Sequence, residues 1–329
     1  MMNQHMFQHY GIDTTKNLNM SQRCARPFDT ILIDKQGSCF ACECTAWLPQ
    51  SIGNLQVRDL SDIIDSDMHR MLQDSILDGS YRYCNQAQCS YLRSGRFYEQ
   101  TETNIKHLRL AIDDSCNLQC PSCRTGMVFH KQGAQFALGI KLADRINEWL
   151  RLHQGNIQVH IGSDGDPFAS HVYRHFMRNT PDRQNITYSI LTNGLMLRDF
   201  HTSVPHVISK MDTLGISIDG ATQGTYEKLR LGGRWDKIVD ALECARDLKQ
   251  SNGHRFNMHM VVQQDNWHEM ELMVALGTKY RADMVYLNPI EDWNTGVDMS
   301  RQTFRHEDGF MRMVERLSTN PIVWVNLPR

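Results

Sequence analysis

The sequence predicts an α/β fold: a partial (β/α)6 TIM-type barrel with a small N-terminal cysteine-rich α+β domain. Three observations predict it. Residues 105–290 alternate short apolar runs with amphipathic helical periods, which calls for a parallel sheet with helices outside. Residues 21–100 hold six of the ten cysteines, in a unit too small to bury much apolar surface without a metal or disulfide staple. The length of 329 residues suits one large domain plus an appendage.

The division that follows is a polar lead-in at 1–20, the cysteine-rich block at 21–100, the barrel at 101–296, and a closing helix and strand at 297–329. With 35 basic and 37 acidic side chains the net charge is −2, so no bulk electrostatic pull toward nucleic acid or a membrane surface is expected. No apolar run is long enough to span a bilayer. The lead-in lacks the apolar core of a secretory signal, and clustered cysteines then read as reduced metal ligands in the cytoplasm. Most of the 18 methionines read as core filler.

In chain order, residues 28–34 (FDTILID) read as a strand, Lys35-Gln36-Gly37 as a turn and 38–44 as a second strand. Trp47 to Leu55 reads as loop. Residues 60–78 carry apolar side chains at helical spacing, and Asp78-Gly79 ends that helix. Cys84 and Cys89 follow on an irregular stretch. The barrel strands are expected at 107–112, 156–161, 185–191, 214–218, 256–262 and 283–287. Its helices are expected at 138–152, 168–178, 235–249 and 266–276. A last helix at 310–317 and strand at 322–325 are expected to cover the open edge. In such barrels the chemistry sits at the C-terminal ends of the strands.

The chemistry-bearing stretches fall at those ends. Residues 113–126 (DDSCNLQCPSCRTG) follow the first barrel strand and set Cys116, Cys120 and Cys123 in the spacing Cys-x3-Cys-x2-Cys. Three thiolates in one tight loop suit an iron–sulfur cluster and leave one iron open. The plainer readings are structural cysteines or half of a zinc site. After the second strand comes Gly162-Ser163-Asp164-Gly165-Asp166-Pro167, a loop whose glycines let the backbone approach a ligand. Taken alone it is an Asp-Gly turn before a helix. Thr192-Asn193-Gly194 follows the third strand, and Ser217-Ile218-Asp219-Gly220 the fourth, with Arg230 beyond. His254, His259, His268 and His306 form no metal spacing. Cys244 reads as core. Trp293 and Asn294, past the sixth strand, are placed to reach a substrate mouth or to pack.

The cysteine loop with three later motifs in order resembles the radical S-adenosylmethionine (SAM) family. The resemblance implies a [4Fe–4S] cluster on Cys116, Cys120 and Cys123, with SAM chelated at the open iron and split reductively to a 5′-deoxyadenosyl radical that takes hydrogen from a substrate. It implies that Gly165 and Asp166 belong to the loop gripping SAM's amino group. Thr192 and Asn193 would then serve the ribose, Ser217 and Asp219 would face the cofactor, and Arg230 would meet its carboxylate. The family's usual aromatic residue before the third cysteine is Ser122 here. An electron donor such as flavodoxin or ferredoxin is implied as a partner. No residue is singled out as catalytic.

The N-terminal block resembles the SPASM or twitch domains attached to such enzymes. The resemblance implies a second, auxiliary iron–sulfur cluster on Cys24, Cys42, Cys84 and Cys89. Cys39 and Cys44 are core residues or ligands in place of Cys42, and zinc on the same sulfurs has the same sequence. Relatives with this domain often act on peptides, so the expected substrate is a peptide, with a small molecule as the other possibility. The rival from another class is a non-catalytic binding protein stabilised by zinc or iron.

Overall fold

The computed structural model describes residues 23–89, 91, 92, 102–290 and 308–326. The lead-in, Trp293, Asn294 and His306 lie outside them. The strands are β1 (Thr30–Asp34), β2 (Ser38–Phe40), β3 (Ser51–Asn54), β4 (His107–Ala111), β5 (Ile157–Ile161), β6 (Ile186–Thr192), β7 (Met211–Ser217), β8 (Arg255–Val262), β9 (Met284–Pro289) and β10 (Val323–Val325). The helices are α1 (Arg26–Asp29), α2 (Leu60–Ile64), α3 (Asp67–Leu77), α4 (Ala134–Leu152), α5 (His171–Asn179), α6 (Leu197–Phe200), α7 (Pro205–Ser209), α8 (Gln223–Leu229), α9 (Trp235–Asn252), α10 (Met270–Lys279) and α11 (Asp308–Leu317).

All ten strands belong to one sheet, in the order β10-β9-β8-β7-β6-β5-β4-β1-β2-β3. Every neighbouring pair from β10 across to β1 is parallel. The β1–β2 and β2–β3 pairs are antiparallel. The six predicted barrel strands are all present, as β4 to β9. The hairpin of the cysteine-rich block is hydrogen-bonded to them through β1 and β4, with Leu32 opposite Arg109. At the other margin β10 pairs with β9.

Several element boundaries differ from the sequence reading, for local reasons. Pro27 sits in the first turn of α1, so residues 26–29 are helical and the strand starts only at Thr30. The second arm stops at Phe40, and the expected loop at Ile52 to Asn54 is strand β3. Gly53 permits this, because a Cβ there would stand 3.0 Å from the Ile63 side chain. The single helix expected at 60–78 is broken into α2 and α3, since the Ser66 hydroxyl accepts from His69 N–H and caps the second. The helix expected from Phe168 begins at His171, behind the Ser170 cap.

The two faces of the sheet differ. Residues alternate between buried and part-exposed along β4, β5 and β6. Leu108, Leu110, Val159, Ile190 and Leu214 on one face share a single apolar core with Leu142 and Ile146 of α4, Phe176 of α5 and Ile238 of α9. Burying each such side chain contributes about 1.5–3 kcal/mol. The other face carries His107, Arg109, Gln158, His160, Ser189, Thr213, His259 and Tyr286, in register across the strands. A closed barrel fills this face with branched apolar side chains; here it is polar. No helix among the described residues is long and apolar enough to cross a membrane.

Candidate cysteine centre at the strand ends

The cysteine loop leaves β4 and is pinned at both sides. Cys116 N–H donates to Val128 O at 2.8 Å, and Gln119 N–H to Leu231 O at 2.9 Å. A turn then forms in which Cys123 N–H donates to Cys120 O at 2.9 Å. Cys116 and Cys120 are buried and Cys123 is exposed. Burial pushes the Cys116 thiol up to about 11 and raises that of Cys120, Arg230 opposing the rise at Cys120.

Each sulfur has an N–H donor aimed at it. Asn193 Nδ2 lies 3.6 Å from Cys116 Sγ, Arg230 Nη1 3.9 Å from Cys120 Sγ, and Arg124 Nη2 3.6 Å from Cys123 Sγ. Donors and cations beside the three soft sulfurs of one loop favour the thiolate form that a cluster requires. The donor set therefore fits an iron–sulfur group at this loop.

Residues 162–167 cross directly beneath it. Asp166 N–H donates to Ser115 O at 2.8 Å. Gly165 has φ +67, and a Cβ there would lie 2.6 Å from Ser115 O and 2.8 Å from Asp113 O, so only glycine lets the turn approach. The Asp166 carboxylate is buried and accepts four bonds: Phe168 N–H, Ala169 N–H, Thr192 hydroxyl at 2.7 Å and Asn193 N–H at 2.8 Å. It braces the end of β6 against the turn after β5. Asn193 Nδ2 also donates to Asn117 Oδ1 at 2.8 Å. Gly165, Asp166, Thr192 and Asn193 are thus brought together around Cys116, with the polar atoms of the last three engaged by protein.

Ser217 ends β7, half-buried. Asp219 follows with φ +54, a conformation Asp tolerates better than most residues. Its Oδ1 accepts Val261 N–H at 2.8 Å and its Oδ2 pairs with Arg230 Nη2 at 2.8 Å. Burial acts to lower the Arg230 pKa, but Asp219 and Cys120 hold it above its ordinary value. Arg230 Nε is buried without a partner among the described residues.

The N-terminal cysteines also gather. Cys24, Cys42 and Cys84 each lie within electrostatic reach of Cys89, and Cys24 within reach of Cys42 and Cys84. Burial pushes Cys24 up to about 11 and Cys84 to about 12, and raises Cys42 further. Cys39 instead turns its thiol to Gly37 O at 3.7 Å. Among the described residues the sole set of three metal-ligand side chains within 4.8 Å is Asp113, Asp114 and His130, so the cysteine sets are more widely spread.

The sequence reading missed Arg124, Lys35, Asp114 and His130. Asp114 pairs with Lys35 of the β1–β2 turn and with His130 Nε2 at 2.7 Å, tying the N-terminal hairpin to the cysteine loop. Arg124 carried a readable signal, a cation directly after the third cysteine. The Lys35 contact carried none, since it depends on the β1–β4 pairing.

Comparison with known proteins gives concordant results. A family model described as the radical SAM superfamily matches residues 112–276. The chain is 27% identical over 144 residues to a probable GTP 3′,8-cyclase of Methanococcus maripaludis, covering 43% of this chain and 45% of that protein. It is 23% identical over 221 residues to an uncharacterized protein of Archaeoglobus fulgidus, covering 67% and 50%. The chain spans about half the length of the curated relatives it matches. Among solved structures it aligns with Streptococcus suis SuiB bound to S-adenosylmethionine at 11% identity, TM-score 0.48, covering 67% of this chain and 50% of that one. Methylornithine synthase (PylB) aligns at 16% identity, TM-score 0.42, covering 67% and 63%.

Proposed function

Given that the chain belongs to the radical SAM superfamily, we propose that it is an enzyme that cleaves S-adenosylmethionine reductively and uses the 5′-deoxyadenosyl radical to abstract hydrogen from a substrate. Bound at Cys116, Cys120 and Cys123, a [4Fe–4S] cluster would keep one iron open for SAM's amino and carboxylate groups and pass on the cleaving electron. The observation that carries this reading is the convergence of the three later motif segments on the cysteine loop, through the Asp166 brace and the Asn193 and Arg230 contacts to sulfur.

The protein's own residues then have distinct tasks. The Cβ-free turn at Gly165 presents backbone carbonyls to an ammonium group. Asp166, Thr192 and Asn193 act by position, fixing that turn and the β6 end. Ser217 offers its hydroxyl at the mouth. The Asp219–Arg230 pair keeps a cation beside Cys120.

The second part of the proposal is an auxiliary iron–sulfur cluster on Cys24, Cys42, Cys84 and Cys89. It is supported by the electrostatic reach of Cys24, Cys42 and Cys84 to Cys89 and by the turning away of Cys39. The substrate in this reading is a peptide, the reducing partner is a flavodoxin or ferredoxin, and the compartment is the reducing cytoplasm. A small nucleotide substrate is the second reading, favoured by the Methanococcus relative whose name specifies GTP.

Anaerobic purification and reconstitution, followed by assay of iron, sulfide and 5′-deoxyadenosine, tests the proposal. A colourless zinc protein that leaves SAM intact would instead support the non-catalytic binding role.

A further inference from the structure

We propose that the polar face of β4 and β5 holds an anionic group of the substrate, a carboxylate or a phosphate, on Arg109 with His107 and His160. This rests on the enzyme reading above and names the chemistry its substrate must carry.

Arg109 and His160 are directly opposite on adjacent parallel strands. His107 lies two residues before Arg109 on the same face, with its Nδ1 3.2 Å from His160 Nε2. Arg109 Nε is buried and unpartnered, and no carboxylate pairs with this guanidinium among the described residues. A buried donor left without an acceptor costs free energy unless a ligand or water supplies one.

The carboxylates that face this region are already engaged. Asp29 accepts from Thr30 Oγ1 at 2.6 Å and lies 3.8 Å from Arg26 Nη1. Glu43 pairs with Arg26 Nε at 3.4 Å. Asp212 accepts from Gln158, Thr213 and Arg255. That leaves Arg109 as surplus positive charge flanked by two imidazoles. Burial, then Arg109 and His107, lower His160 to about 3, and burial lowers His107, so both rings are neutral near pH 7; their mutual hydrogen bond uses the single N–H of one ring on the lone pair of the other, which leaves one ring N–H for a ligand. A planar fork with one flanking ring N–H matches the oxygens of a carboxylate or phosphate. The chemistry at the strand tops remains free, because Arg109 lies mid-strand, below the cysteine loop.

The test is calorimetric titration of the reconstituted full-length protein with inorganic phosphate and, separately, acetate, at ionic strength matched with chloride. Saturable one-to-one binding of either anion is expected, and the stronger of the two identifies the substrate group. Arg109→Gln should weaken it about tenfold or more, with Arg109→Lys and His160→Asn intermediate. Circular dichroism checks folding, and if Arg109→Gln does not fold, the other two variants carry the comparison. Absence of saturable binding to the wild type, or equal affinity in the folded variants, overturns the inference. Titration with SAM on the same sample separates the two claims. SAM binding without anion binding removes only the subsite, and anion binding without SAM binding removes only the enzyme reading.

Discussion

Arg230 pairs with the buried Asp219 carboxylate, Nη2 to Oδ2 at 2.8 Å, and the same guanidinium reaches Cys120 Sγ at 3.9 Å. The pair joins the β7 end to the cysteine loop. Arg230→Met strands the Asp219 charge in the interior, and we expect a loss of about 3–5 kcal/mol in urea denaturation. Adding Asp219→Asn should recover part of it, since the orphaned charge is then gone.

The Lys35–Asp114 contact predicts a pH-dependent tie between hairpin and loop. Burial pushes Asp114 up, but Lys35 and His130 outweigh it and hold the carboxyl below its ordinary 3.8. The stabilisation is therefore present above pH 3.8 and lost as pH falls through the lower folded value. Burial acts to lower Lys35, but Asp114 outweighs it and raises the group, so its share is present below pH 10.5 and lost as pH rises through the higher folded value. Lys35→Met should lower stability by about 1 kcal/mol or less at pH 7, the pair being part-exposed. Denaturation curves of mutant and wild type should converge once the pH has fallen below the lowered folded value of Asp114.

His254 is buried with both ring nitrogens unpartnered among the described residues, and burial lowers its pKa to about 4. The unfolded chain takes up this proton near 6.5 and the folded one does not, so stability falls as pH drops from 6.5 toward 4. The slope is about 1.4 kcal/mol per pH unit. His254→Leu should flatten that part of the stability profile and leave pH 8 nearly unchanged.

Gly165→Ala places a methyl 2.6 Å from Ser115 O on a backbone at φ +67. We expect a cost of about 1–3 kcal/mol and weakened SAM binding by equilibrium dialysis, with iron content retained at the N-terminal cysteines.

The two cysteine sets should separate by iron count. Wild type should carry about eight irons, and either Cys24→Ser with Cys89→Ser, or the triple Ala change at Cys116, Cys120 and Cys123, about four. Only the triple change should abolish SAM cleavage.

Much of this architecture was readable from residue patterns. β4 to β9 announced themselves because a parallel strand packed under helices keeps an apolar residue at every second position, as Leu108 and Leu110 do. Helices α6, α7 and α8 were not readable, since four to seven residues give less than two turns of period. The pairing of β1 with β4 joins segments far apart in sequence and has no local signature. Asp166 was readable as a loop residue but not as a brace, because its partners Thr192 and Asn193 belong to a different strand. Arg109 reads as an ordinary polar strand position until its missing partner is seen.

Among the described residues both margins of the sheet are blunt. At one, β3 runs for four residues, includes Gly53 and joins β2 through a register shift at Cys39 and Phe40. At the other, β10 runs for three. Short, irregular borders give little template for another chain's backbone, so a sheet this wide is guarded against stacking edge-on into aggregates.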